Sequence, residues 1–148
     1  MKVSAALANV AILAVETSPF IYFIEKHPQY LNQTRAIFSY VSQGAVAVNT
    51  SVMTLTEVLT LPLAKNLQHY VTDYQAMLLN TNGITTISVN VAIARRAAEL
   101  RARYGLRTPD ALHLATAIET RCDAFLTNDH ALTRVREITV LVLGNLTL

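Results

Sequence analysis

The chain has 148 residues, 52% of them hydrophobic and 15% charged, with a formal net charge of +2 at pH 7. That length is about one domain and buries a core without staples, while so few charges among so many aliphatic residues exclude an intrinsically disordered chain. Four Gly, four Pro and one Cys exclude collagenous, low-complexity and disulfide-built scaffolds, and Cys122 alone supplies neither a bridge nor a cysteine zinc site.

The opening MKVSAALANVAILAVE has one Lys, an uncharged stretch and then Glu16. This is the outline of a weak signal peptide, too short for a spanning helix, which needs about 20 mostly apolar residues. Two longer uncharged runs, 36–56 and 74–94, are interrupted by Ser, Thr, Asn and Gln, which lipid would leave without partners. VAILAV (10–15) also reads as a strand covered on both faces, so the expectation is a cytoplasmic protein with no membrane segment.

Ser18-Pro19 predicts the start of a short helix, with Ser as N-cap and Pro in the first turn. Its body, FIYFIE, is unusually apolar, and half of it is expected to pack in the core. Pro28 opens a second helix to about Ser42, with Leu31, Thr34, Ile37, Phe38 and Val41 at helical spacing. Gly44 stops it, and AVAVN (45–49) predicts the second strand. Helices follow over Ser51–Ala64 and Leu67–Leu79. Asn82-Gly83 marks a turn before the strand 84–89.

Asn90 caps a helix ending at Tyr104, with Gly105 as the stop and Glu99–Arg103 as an i,i+4 ion pair. Thr108-Pro109-Asp110 repeats the N-cap and Pro device for a helix to about Thr120. AFLTN (124–128) is a strand, Asp129–Val135 a short helical turn and ITVLVLG (138–144) the last strand. No repeat or linker divides the sequence, so a single domain over 1–148 is expected. Strands alternating with helices argue for an α/β fold, a parallel sheet with helices on both faces.

Of ten acidic residues, four share one expected address. Glu16 ends the first strand, Glu57 lies in the helix after the second, Asp110 opens a helix and Asp129 follows AFLTN. In an open parallel sheet the carboxyl ends of the strands form the ligand crevice. Crowded carboxylates repel unless a cation balances them, and hard ions such as Mg²⁺ or Mn²⁺ bind carboxylate oxygen. That pattern points to a metal-dependent nuclease. Each acid also has a structural account. Thr54-x-x-Glu57 fits a capping box, Asp110 suits a helix macrodipole and Asp129 suits a turn cap. Glu16 after a buried strand has the weakest such alternative.

ETSPFIYFIEKHP (16–28), SVMTLTEVL (51–59), LRTPDALHLATAI (106–118) and DAFLTND (123–129) resemble, in order, the motif blocks of PIN-domain ribonucleases, nearest in flavour to the VapC-like toxin group. The resemblance implies a three-layer α/β/α sandwich with a mostly parallel sheet. It also implies Mg²⁺- or Mn²⁺-dependent hydrolysis of RNA phosphodiester bonds, homodimerisation and a cognate antitoxin partner. By motif position the four acids fall on Glu16, Glu57, Asp110 and Asp129, the catalytic and metal residues. Thr17 and Thr127 fall on the hydroxyls that orient them. The first acid of the family is usually Asp; here Glu16 is one methylene longer. A second reading is therefore a PIN-like protein that binds RNA or an antitoxin without cleaving. A phospho-acceptor signalling domain is disfavoured, because the strands that would carry its Asp and Lys end in Val89-Asn90 and Leu143-Gly144.

Five of the twelve cations, Arg95, Arg96, Arg101, Arg103 and Arg107, lie in one short segment suited to phosphate contact. A solvated helix face is the expectation for Arg95, Arg96 and Arg103, whereas Arg107, three residues before Asp110, is placed to bind RNA. His113 is expected to be a hydrogen-bonded structural residue close to the pocket, His130 a turn residue and Cys122 a packing residue.

Overall fold

The computed structural model describes residues 1–148. Its centre is a five-stranded parallel sheet of β1 (Ile12–Val15), β2 (Ala47–Ser51), β3 (Ile84–Ile87), β4 (Ala124–Thr127) and β5 (Thr139–Val142), in the order β3-β2-β1-β4-β5. Leu13 pairs with Val48 on one side and Ala124 on the other, and Thr127 pairs with Val142. The chain builds outward from β1 to β3, then crosses back to place β4 on the other side of β1. The order thus reverses between β1 and β4, the place where open α/β sheets hold ligands at the carboxyl ends of their strands.

Seven helices complete the fold: α1 (Val3–Leu7), α2 (Thr17–Ile24), α3 (Leu31–Ser42), α4 (Val52–Ala64), α5 (Gln68–Asn80), α6 (Val91–Tyr104) and α7 (Thr108–Glu119). Alternation along β1 and β4 divides the core. Leu13, Val15 and Leu126 face a cluster with Phe20, Ile37, Phe38, Val58, Tyr74 and Leu78 from α2 to α5. Ala14 and Phe125 face Ile93, Ala97, Leu100 and Leu114 from α6 and α7. This is the expected three-layer α/β/α sandwich. Val3 and Leu7 of α1 join the first cluster, so the apolar opening segment is part of the core. No helix is long and apolar enough to cross a membrane.

The expected elements all form, with boundaries moved by local chemistry. The Asn90 side chain accepts from Ile93 N at 2.9 Å and Gly105 closes α6 with φ 65°, both as expected. Ser18 is not the cap of α2. The helix starts at Thr17, and Glu16, in extended conformation, is the N-cap residue without a side-chain cap bond; its carboxylate is engaged elsewhere. Likewise Arg107, not Thr108, precedes α7. The α3 helix begins at Leu31, after the turn that Pro28 opens, and β2 runs two residues later than AVAVN.

The capping box at Thr54 and Glu57 does not form. Ser51 is the cap of α4, accepting from Met53 N, which puts Thr54 inside the helix and frees Glu57. The pair Glu99–Arg103 does not form either. Glu99 pairs with Arg96 at 3.3 Å, and Arg103 reaches Glu137 at 2.7 Å.

Candidate functional site

The switch point between β1 and β4 places Glu16 directly after β1, and Asn128 and Asp129 directly after β4. Glu16 is 9% exposed. Its Oε1 accepts from Thr127 Oγ1 at 2.8 Å and from Asn128 N at 3.3 Å, and neither bond uses Oε2. Burial pushes its carboxyl above the ordinary range, outweighing the lowering effect of those two hydrogen bonds. Thr127, fully buried, also accepts from Asp129 N at 2.9 Å. One hydroxyl thus orients both Glu16 and the backbone of Asp129.

Glu57 arrives from the second turn of α4. Its Oε1 accepts from Thr17 Oγ1 at 2.9 Å and lies 2.6 Å from His113 Nε2. A carboxylate only accepts, so Nε2 carries the proton. The His113 hydrogen bond is the main influence holding the Glu57 carboxyl below its ordinary range. His113 is 5% exposed and comes from α7, so it ties α4 to α7 across the pocket floor.

Beneath Thr17 lies a chain of buried hydroxyls. Thr50 Oγ1 donates to Val15 O at 2.8 Å and lies 2.8 Å from Thr54 Oγ1, so Thr54 is the donor between them. Thr54 lies 3.5 Å from Thr17. These hydroxyls pin the start of α4 to the end of β1.

Asp110, in the first turn of α7, accepts from Arg107 Nε at 3.1 Å and from Arg107 Nη2 at 3.4 Å, one bond to each carboxylate oxygen. Its side chain is 16% exposed against 79% for Arg107. Asp129 is an N-cap as well as a pocket residue, with Oδ1 accepting from Ala131 N at 2.9 Å. Electrostatics joins the four acids into one site. Glu16 feels both His113 and Asp110, and Arg107 feels Asp110, Asp129 and Glu57.

All seven residues singled out in the sequence, Glu16, Thr17, Glu57, Arg107, Asp110, Thr127 and Asp129, therefore meet at one end of the sheet. His113 has the structural role expected of it, exercised inside the site. Sequence reasoning does not single out Asn128 or Thr50, and it singles out Thr54 only for a capping box. The TND run contains the first; Thr50, on the strand-to-helix turn, carries no signal that separates it from ordinary β-branched residues. Asp123 belongs to the opposite end, where Oδ2 accepts from Ala11 N and Ile12 N at 2.8 and 2.9 Å.

The donor set suits a hard divalent cation in type and address: carboxylate oxygens, with Glu16 Oε2 outside the Thr127 and Asn128 bonds. No three His, Cys, Asp or Glu side chains converge closely enough to hold an ion as they stand. Asp110 is engaged by Arg107 and Asp129 by its own turn.

No relative matches among curated proteins. Solved structures share the fold. VapBC2 from Rickettsia felis, bound to a DNA fragment from its promoter, matches with TM-score 0.72 and 17% identity over 88% of this chain and 98% of that one. A toxin-antitoxin complex from Klebsiella pneumoniae matches with TM-score 0.65 and 20% identity over 90% and 97%. VapC20 of Mycobacterium tuberculosis, a sarcin-ricin loop cleaving toxin, matches with TM-score 0.66 and 16% identity over 86% and 98%. The family model of the PIN domain matches residues 13–138, a span that takes in β2, β3 and β4, all of β1 but its first residue, and all four acids. By that match, on a sheet whose order reverses where Glu16 and Asp129 stand, the chain belongs to the PIN domain family.

Proposed function

We propose that this chain is a Mg²⁺- or Mn²⁺-dependent endoribonuclease that hydrolyses RNA phosphodiester bonds, and that it acts in the cytoplasm as the toxin of a toxin–antitoxin pair. The observation that carries the reading is the gathering of Glu16, Glu57, Asp110 and Asp129, from four separate segments, at the switch point of the sheet. The cap made by Asp129 and the ion pair made by Asp110 account for those residues singly, not for the address that all four share.

Glu16, Asp110, Asp129 and Glu57 are the residues that would hold the ion. Bound there, a divalent cation supplies charge neutralisation at the phosphate and a more acidic water. The protein's own part is positioning. Thr127 and Asn128 N fix the longer Glu16 side chain. His113 and Thr17 fix Glu57 and keep it ionised. Arg107 stands at the rim, where its guanidinium meets a phosphate oxygen as readily as Asp110. A toxin role is supported by the fold shared with the Klebsiella pneumoniae complex and the Mycobacterium tuberculosis toxin. Homodimerisation belongs to the same reading, and light scattering on the purified chain tests it.

A second reading, RNA or antitoxin binding without cleavage, is favoured by one observation: Arg107 occupies both oxygens of Asp110. Incubating end-labelled RNA with antitoxin-free protein in EDTA, Mg²⁺ or Mn²⁺, beside Asp110→Asn, separates the two. Cleavage that requires metal and is lost in Asp110→Asn is the expected result. Folded protein that retains RNA but leaves a broad RNA panel intact selects the second reading, and full activity in Asp110→Asn overturns the assigned site.

A further inference from the structure

The arginine-rich segment does not act as one stripe in three dimensions. At the start of α6, Arg95 and Arg96 are neutralised, Arg95 by Glu99 at 3.9 Å and Arg96 by Glu99 at 3.3 Å and Glu119 at 2.8 Å. The end of α6 is different. Arg101 Nε donates to Leu106 O at 3.0 Å, a backbone carbonyl that does not cancel its charge.

Two more arginines join it from a distant part of the sequence. Asp129 opens a 3-10 turn over His130–Arg134. Arg134 donates to Ala131 O and to Tyr104 O, again backbone carbonyls. Tyr104 Oη in turn accepts from Arg136 N at 3.2 Å. The end of α6 and the segment after Asp129 are thereby stapled into one surface. The exposed Arg136 side chain makes no hydrogen bond or ion pair with the protein.

Only Arg103 and Arg107 in this group have carboxylate partners. Arg101, Arg134 and Arg136 carry three uncompensated positive charges. The helix C-terminus accounts for Arg101 and Arg103, which suit its negative end. It does not account for Arg134 and Arg136, which belong to another segment. The patch is continuous with the acid pocket at two points: Leu106, bonded by Arg101, adjoins Arg107, and Arg134 ends the turn that Asp129 begins. A 3-10 turn of five residues is about 10 Å long, which sets the backbone of Arg134 about that far from Asp129.

We propose that Arg101, Arg134 and Arg136 form a phosphate-binding track that holds the backbone of a single-stranded RNA as it enters the acid pocket beside Arg107. The track rests on the ribonuclease reading and adds to it where the strand lies. Charge, not base contacts, holds the strand there, so affinity along the track is sequence-independent and salt-sensitive.

The test is fluorescence anisotropy of a fluorescein-labelled, mixed-sequence single-stranded oligoribonucleotide in EDTA over a salt series, with a parallel cleavage assay in Mg²⁺ or Mn²⁺. The proteins are the wild-type chain, Arg136→Gln, Arg101→Gln with Arg136→Gln, and Arg95→Gln as the off-track comparison. Arg136→Gln touches no side-chain contact of the fold. The salt slope of log affinity is expected to fall by about 0.7 for each track arginine removed, with Arg95→Gln unchanged. Wild-type cleavage together with an undiminished slope in the double variant overturns the track and leaves the ribonuclease reading standing. A wild-type protein that neither binds nor cleaves RNA overturns both.

Discussion

His113 Nε2 stands 2.6 Å from Glu57 Oε1, inside a pocket where three other carboxylates lack such a partner. One histidine of α7 thus sets the position of the only acid contributed by α4. Glu57 accepts from His113 and Thr17 on the same oxygen, so its other oxygen lies outside both bonds.

His113→Leu removes the proton donor while keeping an apolar volume on a buried helix face. Partners that orient metal-binding carboxylates are typically worth 10–100-fold in affinity or activity, and a loss of about that size in metal-dependent cleavage is expected. The pH response changes as well. A carboxyl held below its ordinary value contributes stability above pH 4.5 that disappears as pH falls through the folded-state value. Thermal scans across the acid range should show this acid-side loss in the wild type and a shallower one in His113→Leu. An unchanged slope means that His113 does not hold Glu57.

Glu16 behaves in the opposite sense. Burial raises its carboxyl, so the folded protein keeps this proton longer than the unfolded chain does, and ionising it opposes folding as pH rises above 4.5. Glu16→Gln removes that burden, while Thr127 Oγ1 and Asn128 N still have an amide oxygen to donate to. The metal-free variant should melt above the wild type, with the gap widening as pH rises from 4.5 and levelling off once it passes the raised folded-state value. A gap that closes with rising pH contradicts the assigned burial.

The hydroxyl chain is a matter of stability. Thr54 is fully buried and donates to Thr50, which donates to Val15 O. Thr54→Val keeps the shape and removes one hydrogen bond, at a cost of about 1 kcal/mol in chemical denaturation. Thr54→Ala adds a cavity and should cost more. Equal stability of Thr54→Val and wild type would show that the chain does not tie α4 to β1.

The layered fold and the shared address of the four acids are legible in the sequence because both follow from position along the chain. Apolar β-branched runs such as 10–15 become covered strands, and residues just after such strands or opening a helix share one end of a parallel sheet. Side-chain partners were less legible. Local rules match Glu57 with Thr54 and Glu99 with Arg103, yet Ser51 caps α4 first and Glu137 takes Arg103. Ser18 and Thr108 lose their caps to Glu16 and Arg107 because each helix begins one or two residues earlier than the Pro suggests. The contacts that decide the site, Glu57 with His113 and Glu16 with Thr127, span 56 and 111 residues, and no local periodicity reports on them.

On the proposed reading, Arg107 and a divalent cation compete for the same two oxygens of Asp110. Asp110 gives one oxygen to Arg107 Nε and the other to Nη2, and the guanidinium also feels Asp129 and Glu57. The pair is mostly exposed on the Arg side, so it contributes little to stability, and Arg107→Gln should leave the metal-free midpoint nearly unchanged. Its effect should be on the ion. With Arg107 gone, the repulsion among Asp110, Asp129 and Glu57 is uncompensated, and a cation that relieves it binds more tightly. Titrating Mn²⁺ into both proteins by calorimetry should show a lower Kd for Arg107→Gln, and a larger rise in midpoint at equal Mn²⁺. Cleavage should nonetheless fall, because on the proposed reading the same guanidinium meets the phosphate. Weaker Mn²⁺ binding in Arg107→Gln would place the cation away from Asp110 and require a different set of ligands.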